Sequence, residues 1–379
     1  GRLARGGLPV TVQSRYLGGD PLSLNFTRVG AIAGRKFASL RRDKRMVGFI
    51  VIMPAIQILL FGIALGGTPT GLDVAVIDEG PTQLSTPILA ELNESEPLVL
   101  HYDEASVESA RSGVQEGEYW AVIHIRQDGT IELHLDNSNQ QISQTIIIEV
   151  RDALTAVAEE SGAQLPVEIA EPIYGDAAPA FIDFLAPGIM TMVCFMFSLI
   201  LTSMAFVGER YDGTLDRVFA AGTRPVEVLL GHLLAFSTIL VGQVTVVILI
   251  AVFGFDIPVN GSPLLLFAVG IFLGLAAMCM GLFVSSKAKS EFQAMQLNMP
   301  VMFPVMLLSG ILWPVEALPT FIQPLSWALP STWTAEAFRS IMVRGWGMSH
   351  SEVWIAFVFN LAFAAFALML AARSLKTRE

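Results

Sequence analysis

The sequence predicts a polytopic α-helical membrane protein with six transmembrane helices and a mixed α/β extracytoplasmic domain. Two observations predict the helices: 53% of the 379 residues are hydrophobic while only 15% are charged, and the mean hydropathy is +0.59. An ordinary soluble protein of this length does not reach such values. A third observation predicts the domain: residues 67–180 hold 21 acidic and 3 basic residues, more than the whole net charge of −11.

Six apolar runs are long enough to cross the hydrocarbon core of a bilayer, which takes about 20 helical residues. None of them contains Lys, Arg, Asp or Glu. Both cysteines, Cys194 and Cys279, lie inside these runs, where we interpret them as packing residues and not as metal ligands or a disulfide. The six predicted spans are Val47–Leu65, Phe184–Val207, Val228–Phe253, Pro263–Val284, Ala294–Trp313 and Val353–Ala372.

The connecting segments alternate in their content of Lys and Arg, as the positive-inside rule requires. Seven basic residues lie between Arg28 and Arg45, before the first span, three between the second and third, two between the fourth and fifth, and three after the sixth. The opposite side carries three in the acidic domain, none between the third and fourth spans, and two between the fifth and sixth. Both termini are therefore predicted to be cytoplasmic.

The segments before and after the spans differ in character. Residues 1–24 lack the apolar core of a signal peptide and are interpreted as a tail. Residues 25–46 place apolar residues three to five apart with basic residues between them, which predicts an amphipathic helix lying at the membrane interface. A plain positively charged flank is the alternative. Residues 374–379 form a predicted cytoplasmic tail.

Residues 66–182 alternate short apolar strands with helical patterns. We expect strands at Leu72–Ile77, Leu98–His101, Trp120–Ile125 and Ile131–Leu135, and helices at Thr82–Leu92, Glu104–Ser112 and Ile142–Glu159. Asp128-Gly129 predicts a tight hairpin. The run Asp136–Asn139 is read as a helix cap in preference to a metal or ligand site. Three histidines, His101, His124 and His134, lack metal-ligand spacing. His124 and His134 could face each other across the hairpin, but packing is the preferred interpretation.

The sequence offers no energy source of its own. The spans lack the acids and bases typical of ion-driven carriers, and His232 near the cytoplasmic end of its helix is no convincing proton relay. The phosphate-binding pattern G-x-x-x-x-G-K-[ST] is absent. Residues Gly30–Lys36 read GAIAGRK, with the glycines one residue too close and Phe37 in place of Ser or Thr. Nucleotide chemistry is therefore expected in a partner.

The cytoplasmic link between the second and third spans carries the most distinctive local pattern. It reads ERYDGTLDRVF from Glu209 to Phe219. Gly213 is expected to end one helix by adopting a positive φ, Thr214 to cap the next, and Asp216 to suit its first turn. A short helix across the membrane face would follow, at about residues 209–222. The alternative is a turn that merely caps two helices.

These features in this order resemble the permease subunits of type-2 ATP-binding cassette (ABC) exporters. The resemblance covers about residues 26–375: an amphipathic helix, a span, an outer α/β domain, a second span ending in E-R-x-x-G-T-L-[DE], and four more spans. Further matches are Leu308-Ser309-Gly310, the run Pro314–Pro319, and Leu329–Thr332.

The resemblance implies roles for individual segments. The segment at 209–222 would be the coupling helix that docks on the ATPase subunit, through Glu209, Arg210, Tyr211, Asp212, Gly213, Thr214, Asp216 and Arg217. Residues 25–46 would be the connecting helix beside it, and Ser285–Ser290 a second cytoplasmic contact. Residues 314–349 would re-enter the outer leaflet and close the outer end of the pathway, with Ser309, Gly310, Pro314, Glu316 and Pro319 as its gate.

The resemblance also implies an assembly. Two permease chains, identical or paralogous, would join two ATPase subunits that bind ATP and Mg in a cell membrane, most simply a prokaryotic inner membrane. The second and fifth spans would line the pathway, and their Met, Phe and Leu content suits a hydrophobic or amphipathic cargo such as a drug or lipid. Membrane lipid is the other expected partner; no nucleic acid is expected, and no catalytic, cofactor or metal site is predicted in this chain.

Two other classes of protein remain as alternatives. A membrane-anchored receptor or scaffold would bind a partner through the outer domain and use its helices only as an anchor. An intramembrane enzyme is disfavoured, because the spans lack paired aspartates, H-E-x-x-H and G-x-S-x-G.

Overall fold

The computed structural model describes residues 24–42, 44–65, 69–80, 85–136, 138, 140–161 and 181–376. Most of the predicted N-terminal tail and the last three residues lie outside this part of the chain. The chain divides into two compact units, one formed by Gly1–Ile63 with Asp183–Glu379 and the other by Ala64–Ile182.

The elements of the first unit are almost all helical. Its helices begin with α1 (Phe26–Arg42) and α2 (Lys44–Leu65). The second unit then contributes β1 (Leu72–Asp78), α3 (Ser85–Glu94), β2 (Leu98–His101), α4 (Val107–Glu116), β3 (Ala121–Ile125), β4 (Ile131–Leu135) and α5 (Gln140–Ser161). The first unit resumes with α6 (Phe181–Tyr211, of which Asp183 onward belongs to it), α7 (Thr214–Ala220), α8 (Pro225–Leu249), α9 (Pro263–Lys287), α10 (Glu291–Leu308), α11 (Gln323–Trp327), α12 (Pro330–Met342) and α13 (Ser351–Lys376).

The second unit is a mixed α/β fold around a four-stranded sheet. The strand order is β2-β1-β3-β4, with β1 parallel to β2 and β3, and β4 antiparallel to β3. Because side chains alternate across a sheet, Val74, Val76 and Ile123 face α3 and α5, while Ala75 and Val122 face α4 on the other side. The strands lie within a residue of their predicted positions.

The turn between β3 and β4 has the chemistry that its sequence predicts. Gly129 has a φ of 83°, and the Asp128 carboxylate accepts the backbone N–H of Thr130 at 2.9 Å. Glycine adopts this left-handed conformation without strain, and Asp stabilises it by bonding the backbone two residues on. This hairpin fixes the pairing of His124 with Glu132 across the two strands.

Four helices of the described chain are long and apolar enough to cross a membrane: Leu185–Tyr211, Pro225–Gly254, Pro263–Lys287 and Ser351–Leu375. They coincide with the second, third, fourth and sixth predicted spans. The first predicted span falls on α2, in which the described apolar stretch is Ile52–Ile63. The fifth falls on α10, which carries Gln293, Gln296 and Asn298. Spans one and five stay predictions.

The predicted fifth span differs from the observed helix at its end. We expected it to run to Trp313, but α10 ends at Leu308. Gly310 adopts a φ of 69°, which turns the chain out of the helix, and a 3-10 turn at Val315–Ala317 follows Pro314. The segment expected to re-enter the membrane is thus folded as this turn followed by α11 and α12.

Close packing and buried polar bonds join the long helices. A Cβ placed on Gly281 of α9 would lie 2.6 Å from the carbonyl oxygen of Leu199 in α6, so only glycine allows this approach. Asn298 donates to Ser203 Oγ at 2.8 Å, and Asn360 donates to Thr334 Oγ1 at 2.9 Å. These bonds give the two amide nitrogens partners that lipid could not provide.

Candidate functional site

Glu209, in the last turn of α6, contacts three basic side chains. Lys36 Nζ lies 2.5 Å from its Oε1, and Arg35 Nη2 and His232 Nε2 lie 3.3 Å and 2.9 Å from its Oε2. Only 12% of the Glu209 side chain and 9% of Lys36 are exposed, and His232 is fully buried. These four residues, the Glu209 cluster, therefore join α1, α6 and α8 by partly desolvated charges.

The ring of His232 is bonded at both nitrogens. Nδ1 lies 2.8 Å from the carbonyl oxygen of Val228, which can only accept, so Nδ1 carries a proton. Nε2 faces Glu209 Oε2 at 2.9 Å. Phe206 and Phe236 flank the ring. His232 is thus an oriented hydrogen-bond partner of Glu209, which the sequence did not reveal.

Glu227, at the start of α8, forms a second buried acidic junction. Its Oε1 accepts the backbone N–H of Asn25 at 3.0 Å, and its Oε2 accepts the backbone N–H of Arg224 at 3.0 Å. Arg28 lies 3.7 Å from the same carboxylate and donates to the carbonyl of Gly222 at 2.7 Å. The start of α1 is thereby fixed to the start of α8.

A glycine allows α1 and α8 to approach between these two junctions. A Cβ on Gly231 would lie 2.7 Å from Ile32 Cγ2 and 3.2 Å from the carbonyl oxygen of Val29. The Ile32 side chain of α1 therefore packs directly against the α8 backbone at Gly231. Its buried face includes Val29, Ile32, Ala33 and Leu40, while its basic residues other than Lys36 remain exposed. This amphipathic helix matches the predicted one, but it ends at Arg42.

We expect Gly231→Val to separate α1 from α8. Overpacking of this kind costs about 1–3 kcal/mol, so the midpoint of thermal unfolding of the detergent-purified chain should fall. Gly242→Val is the matched control, because it changes the same helix at a position with nothing within 4 Å of the added Cβ. An equal fall in both variants would contradict the packing described for Gly231.

Arg210 connects the end of α6 to the α9–α10 connection. Its Nη1 donates to the carbonyl oxygens of Ser285 and Ala288, at 3.3 Å and 3.1 Å. The segment Ser285–Ser290 was predicted to be a second cytoplasmic contact. The two predicted contact segments are therefore bonded to each other.

The turn between α6 and α7 presents most of its side chains to solvent. Tyr211 is 84% exposed, and Asp212, Asp216 and Arg217 are exposed as well, while Leu215 is buried beneath them. We call Tyr211–Arg217 the exposed turn. Gly213 has a φ of 66°, as predicted. The predicted cap is wrong: Gly213 occupies the cap position of α7 without a side-chain bond, and Thr214 is the first helical residue.

The predicted coupling residues thus separate into two groups. Glu209 and Arg210 point into the protein and bind other helices, whereas Tyr211, Asp212, Asp216 and Arg217 face outward. Glu227 was not among the predicted site residues, and Arg28, Arg35 and Lys36 were predicted only as part of the positive charge before the first span. Glu227 carried a signal, because it lies three residues after Arg224 at a helix that begins with proline.

The predicted outer-gate residues lie together near the end of α10. Ser309 Oγ lies 2.5 Å from Ser331 Oγ, and the carbonyl of Gly310 accepts Arg339 at 3.1 Å. Pro314 begins the 3-10 turn, and Glu316 and Pro319 are exposed. Gly188 of α6 approaches this segment so closely that a Cβ there would lie 2.5 Å from the Ile311 carbonyl oxygen.

A cavity of about 140 Å³ lies between α6 and α10. Its lining is almost entirely apolar and rich in methionine, whose flexible thioether side chain adapts to differently shaped molecules. The lining residues are Met192, Phe195, Met196, Met299, Met302, Phe303, Val305 and Met306.

Comparison with known families gives one match over most of the chain. Residues 44–373 match the family described as "ABC-2 family transporter protein". The match spans the helices that carry Glu209 and His232, the exposed turn and the methionine-lined cavity.

Individual relatives agree with that match. The chain is 31% identical to ABC transporter G family member 20 of Dictyostelium discoideum over 92% of its own length and 50% of the relative. It is 22% identical to the "Probable multidrug ABC transporter permease YbhR" of Escherichia coli over 84% of this chain and 90% of that one. It thus spans about half the length of the Dictyostelium relatives, members 20 and 23, and most of the bacterial one.

Proposed function

The chain belongs to the ABC-2 family of transporter proteins, and from that premise we propose that it is the permease subunit of an ATP-driven exporter. One observation carries the proposal. The exposed turn, with its four solvent-facing side chains, directly follows Glu209 and Arg210. Glu209 contacts α1 and α8, and Arg210 donates hydrogen bonds to the α9–α10 connection. A docking surface and its mechanical connection to the membrane helices are therefore adjacent in the chain.

The route of force follows from these bonds. An ATPase that presses on the exposed turn pushes the end of α6. The Glu209 cluster passes the displacement to α1 and α8, and Arg210 passes it to α9 and α10. Because paired, partly desolvated charges resist separation, these helix ends move together and change the space between α6 and α10.

The proposed cargo is hydrophobic or amphipathic, such as a drug or a lipid. The methionine-lined cavity between α6 and α10 supports this, since apolar pockets with adaptable side chains accept varied apolar molecules. The Escherichia coli relative YbhR is named a probable multidrug ABC transporter permease, which points the same way.

The assembly we propose has two such permease chains and two ATPase subunits that bind ATP and Mg. Six helices cross the membrane, α2 and α10 among them, and the α/β unit lies on the outer side. Both termini of this chain face the cytoplasm, in a cell membrane of the inner-membrane type. The alternation of basic residues supports this orientation, and the acidic composition of residues 67–180 suits an outer domain.

Co-expression with candidate ABC ATPases tests the function. The subunit should co-purify with one ATPase and raise its rate of ATP hydrolysis, and in vesicles the pair should move a hydrophobic dye in an ATP-dependent way. A receptor or scaffold should do neither. A neighbouring ATPase gene identifies the first candidate, and failure to bind or stimulate any ATPase encoded in the genome would overturn the proposal.

The cargo assignment gives a separate prediction. Met306→Trp adds a large ring to the cavity, so we expect dye transport to fall while the ATPase still co-purifies. Met369→Trp is the control, since Met369 is exposed on α13 away from the cavity lining. If both variants transport dye as well as the unchanged chain, the cavity does not hold cargo.

A further inference from the structure

One face of the sheet in the α/β unit gathers histidine and glutamate on its last two strands. His124 of β3 pairs with Glu132 of β4, and Val122 pairs with His134. Because residues two apart on a strand face the same side, His124, Glu132 and His134 share one face. The sequence alone gave these histidines no ligand spacing; the hairpin register brings them together.

The three side chains converge. One potential ligand atom from each of His124, Glu132 and His134 lies within 4.8 Å of the other two. His124 Nδ1 lies 3.1 Å from Glu132 Oε2. Only 6% of the His124 side chain is exposed, whereas 33% of the Glu132 side chain is.

His134 leaves a buried nitrogen without a partner. Its Nε2 is inaccessible to solvent and has no hydrogen bond within the described part of the chain. Buried polar atoms of folded proteins are nearly always bonded, so each exception calls for an explanation. A bound cation beside the neighbouring carboxylate and imidazole would supply that bond.

We propose that His124 Nδ1, Glu132 Oε2 and His134 Nε2 form a binding site for a divalent transition cation of the zinc class. Imidazole nitrogen and carboxylate oxygen are ordinary ligands of such ions, at about 2.0–2.2 Å. Tetrahedral ligands at that distance lie about 3.4 Å apart. Small side-chain rotations bring the three atoms to this spacing, and water completes the fourth position.

The surrounding groups fit this assignment. His124 Nε2 lies 2.9 Å from Glu79 Oε1, so it can donate to Glu79 while Nδ1 binds the metal. A carboxylate that orients a metal-bound histidine in this way is a regular feature of zinc sites. Arg126 bonds Glu132 through Oε1 at 2.6 Å, which leaves Oε2 for the metal.

The ionised state of Glu132 agrees with its assignment as a metal ligand. The hydrogen bond from His124 and the positive charge of Arg126 lower the pKa of Glu132 despite the opposing effect of desolvation. Glu132 is therefore ionised and ready to bind a cation at neutral pH.

Metal titration of the full chain tests the site. The protein is purified in detergent without a polyhistidine tag, stripped with chelator, and titrated with ZnCl₂. We expect one equivalent per chain and a rise in the unfolding midpoint. Co²⁺ in place of Zn²⁺ should give the visible absorption of a tetrahedral site. This test needs no ATPase and is independent of the proposed transport function.

Variants identify the ligands. His134→Ala, His134→Gln and Glu132→Gln should each weaken binding about 100-fold, and Glu79→Gln about 10-fold, as for groups that orient a ligand. His101→Ala is the control, because His101 lies on the same face but bonds Asp73 instead. Circular dichroism verifies that each variant folds. No uptake of Zn²⁺, or uptake retained after both His124 and His134 are replaced by alanine, would overturn the proposal.

Discussion

Glu209→Gln is expected to lower the stability of the chain by about 3–5 kcal/mol and to abolish stimulation of the ATPase. Removal of one partner from a buried ion pair has this cost because the other charge remains buried and uncompensated. Here the uncompensated charge is Lys36, whose side chain is 9% exposed. The glutamine keeps the shape of the side chain, so the loss reports charge and not a cavity.

Two further variants make this prediction specific. Glu316→Gln removes an exposed acid and should leave the unfolding midpoint unchanged within the effect of about 0.5 kcal/mol usual at surfaces. Lys36→Met in the Glu209→Gln background removes a stranded charge, so the double variant should be more stable than Glu209→Gln alone. Additive losses in the double variant would show that the two side chains do not interact.

Gly188→Ala is expected to impair transport without loss of ATPase binding. The added Cβ would lie 2.5 Å from the carbonyl oxygen and 2.8 Å from the Cα of Ile311, and backbone atoms cannot rotate away as a flexible side chain can. Either α6 or the segment after α10 must shift, at a cost of about 1–3 kcal/mol. The shift occurs among the proposed gate residues, far along α6 from Glu209.

The measurement is dye export and ATP hydrolysis by the same preparation. Export should fall while the ATPase remains bound, which separates the gate from the coupling turn. Gly242→Ala is the control: it adds a Cβ with nothing within 4 Å and should stabilise the helix slightly, since alanine favours helices by about 1 kcal/mol over glycine. Normal export by Gly188→Ala would contradict the role proposed for that contact.

The sequence predicted those features that depend on local chemistry. Runs of apolar residues identify membrane-spanning helices, because a span satisfies its backbone hydrogen bonds internally and carries few charged side chains. Helices α6, α8, α9 and α13 lie where those runs do. Alternation of apolar residues placed the four strands in the same way. The hairpin at Asp128-Gly129 and the positive φ of Gly213 followed from side-chain and backbone preferences of single residues.

Features that depend on tertiary contacts were not predictable. Lys36, Glu209 and His232 are far apart in sequence, and no periodicity relates them, so the Glu209 cluster emerged only from the packing of α1 and α8. The resemblance implied that Glu209 docks on the ATPase, and nothing in the sequence indicated that its side chain is only 12% exposed. Tyr211, in contrast, is 84% exposed, as expected for a residue of the predicted contact surface.

Two local predictions failed for identifiable reasons. Thr214 has the side chain of a good cap, but Gly213 already provides the left-handed turn that starts α7. The apolar run that ends at Trp313 continues past the helix, because Gly310 and Pro314 end helical geometry without reducing hydrophobicity. Hydropathy alone cannot detect such an end.

Site-specific crosslinking tests most directly whether the exposed turn docks on an ATPase. A benzophenone amino acid replaces Tyr211, which is 84% exposed, or Phe321, an aromatic residue 81% exposed in the proposed outer segment. After irradiation of the complex with its ATPase, we predict an adduct between the two subunits from position 211 and none from 321. An adduct from 321, or none from 211 in a complex that hydrolyses ATP, would contradict the account.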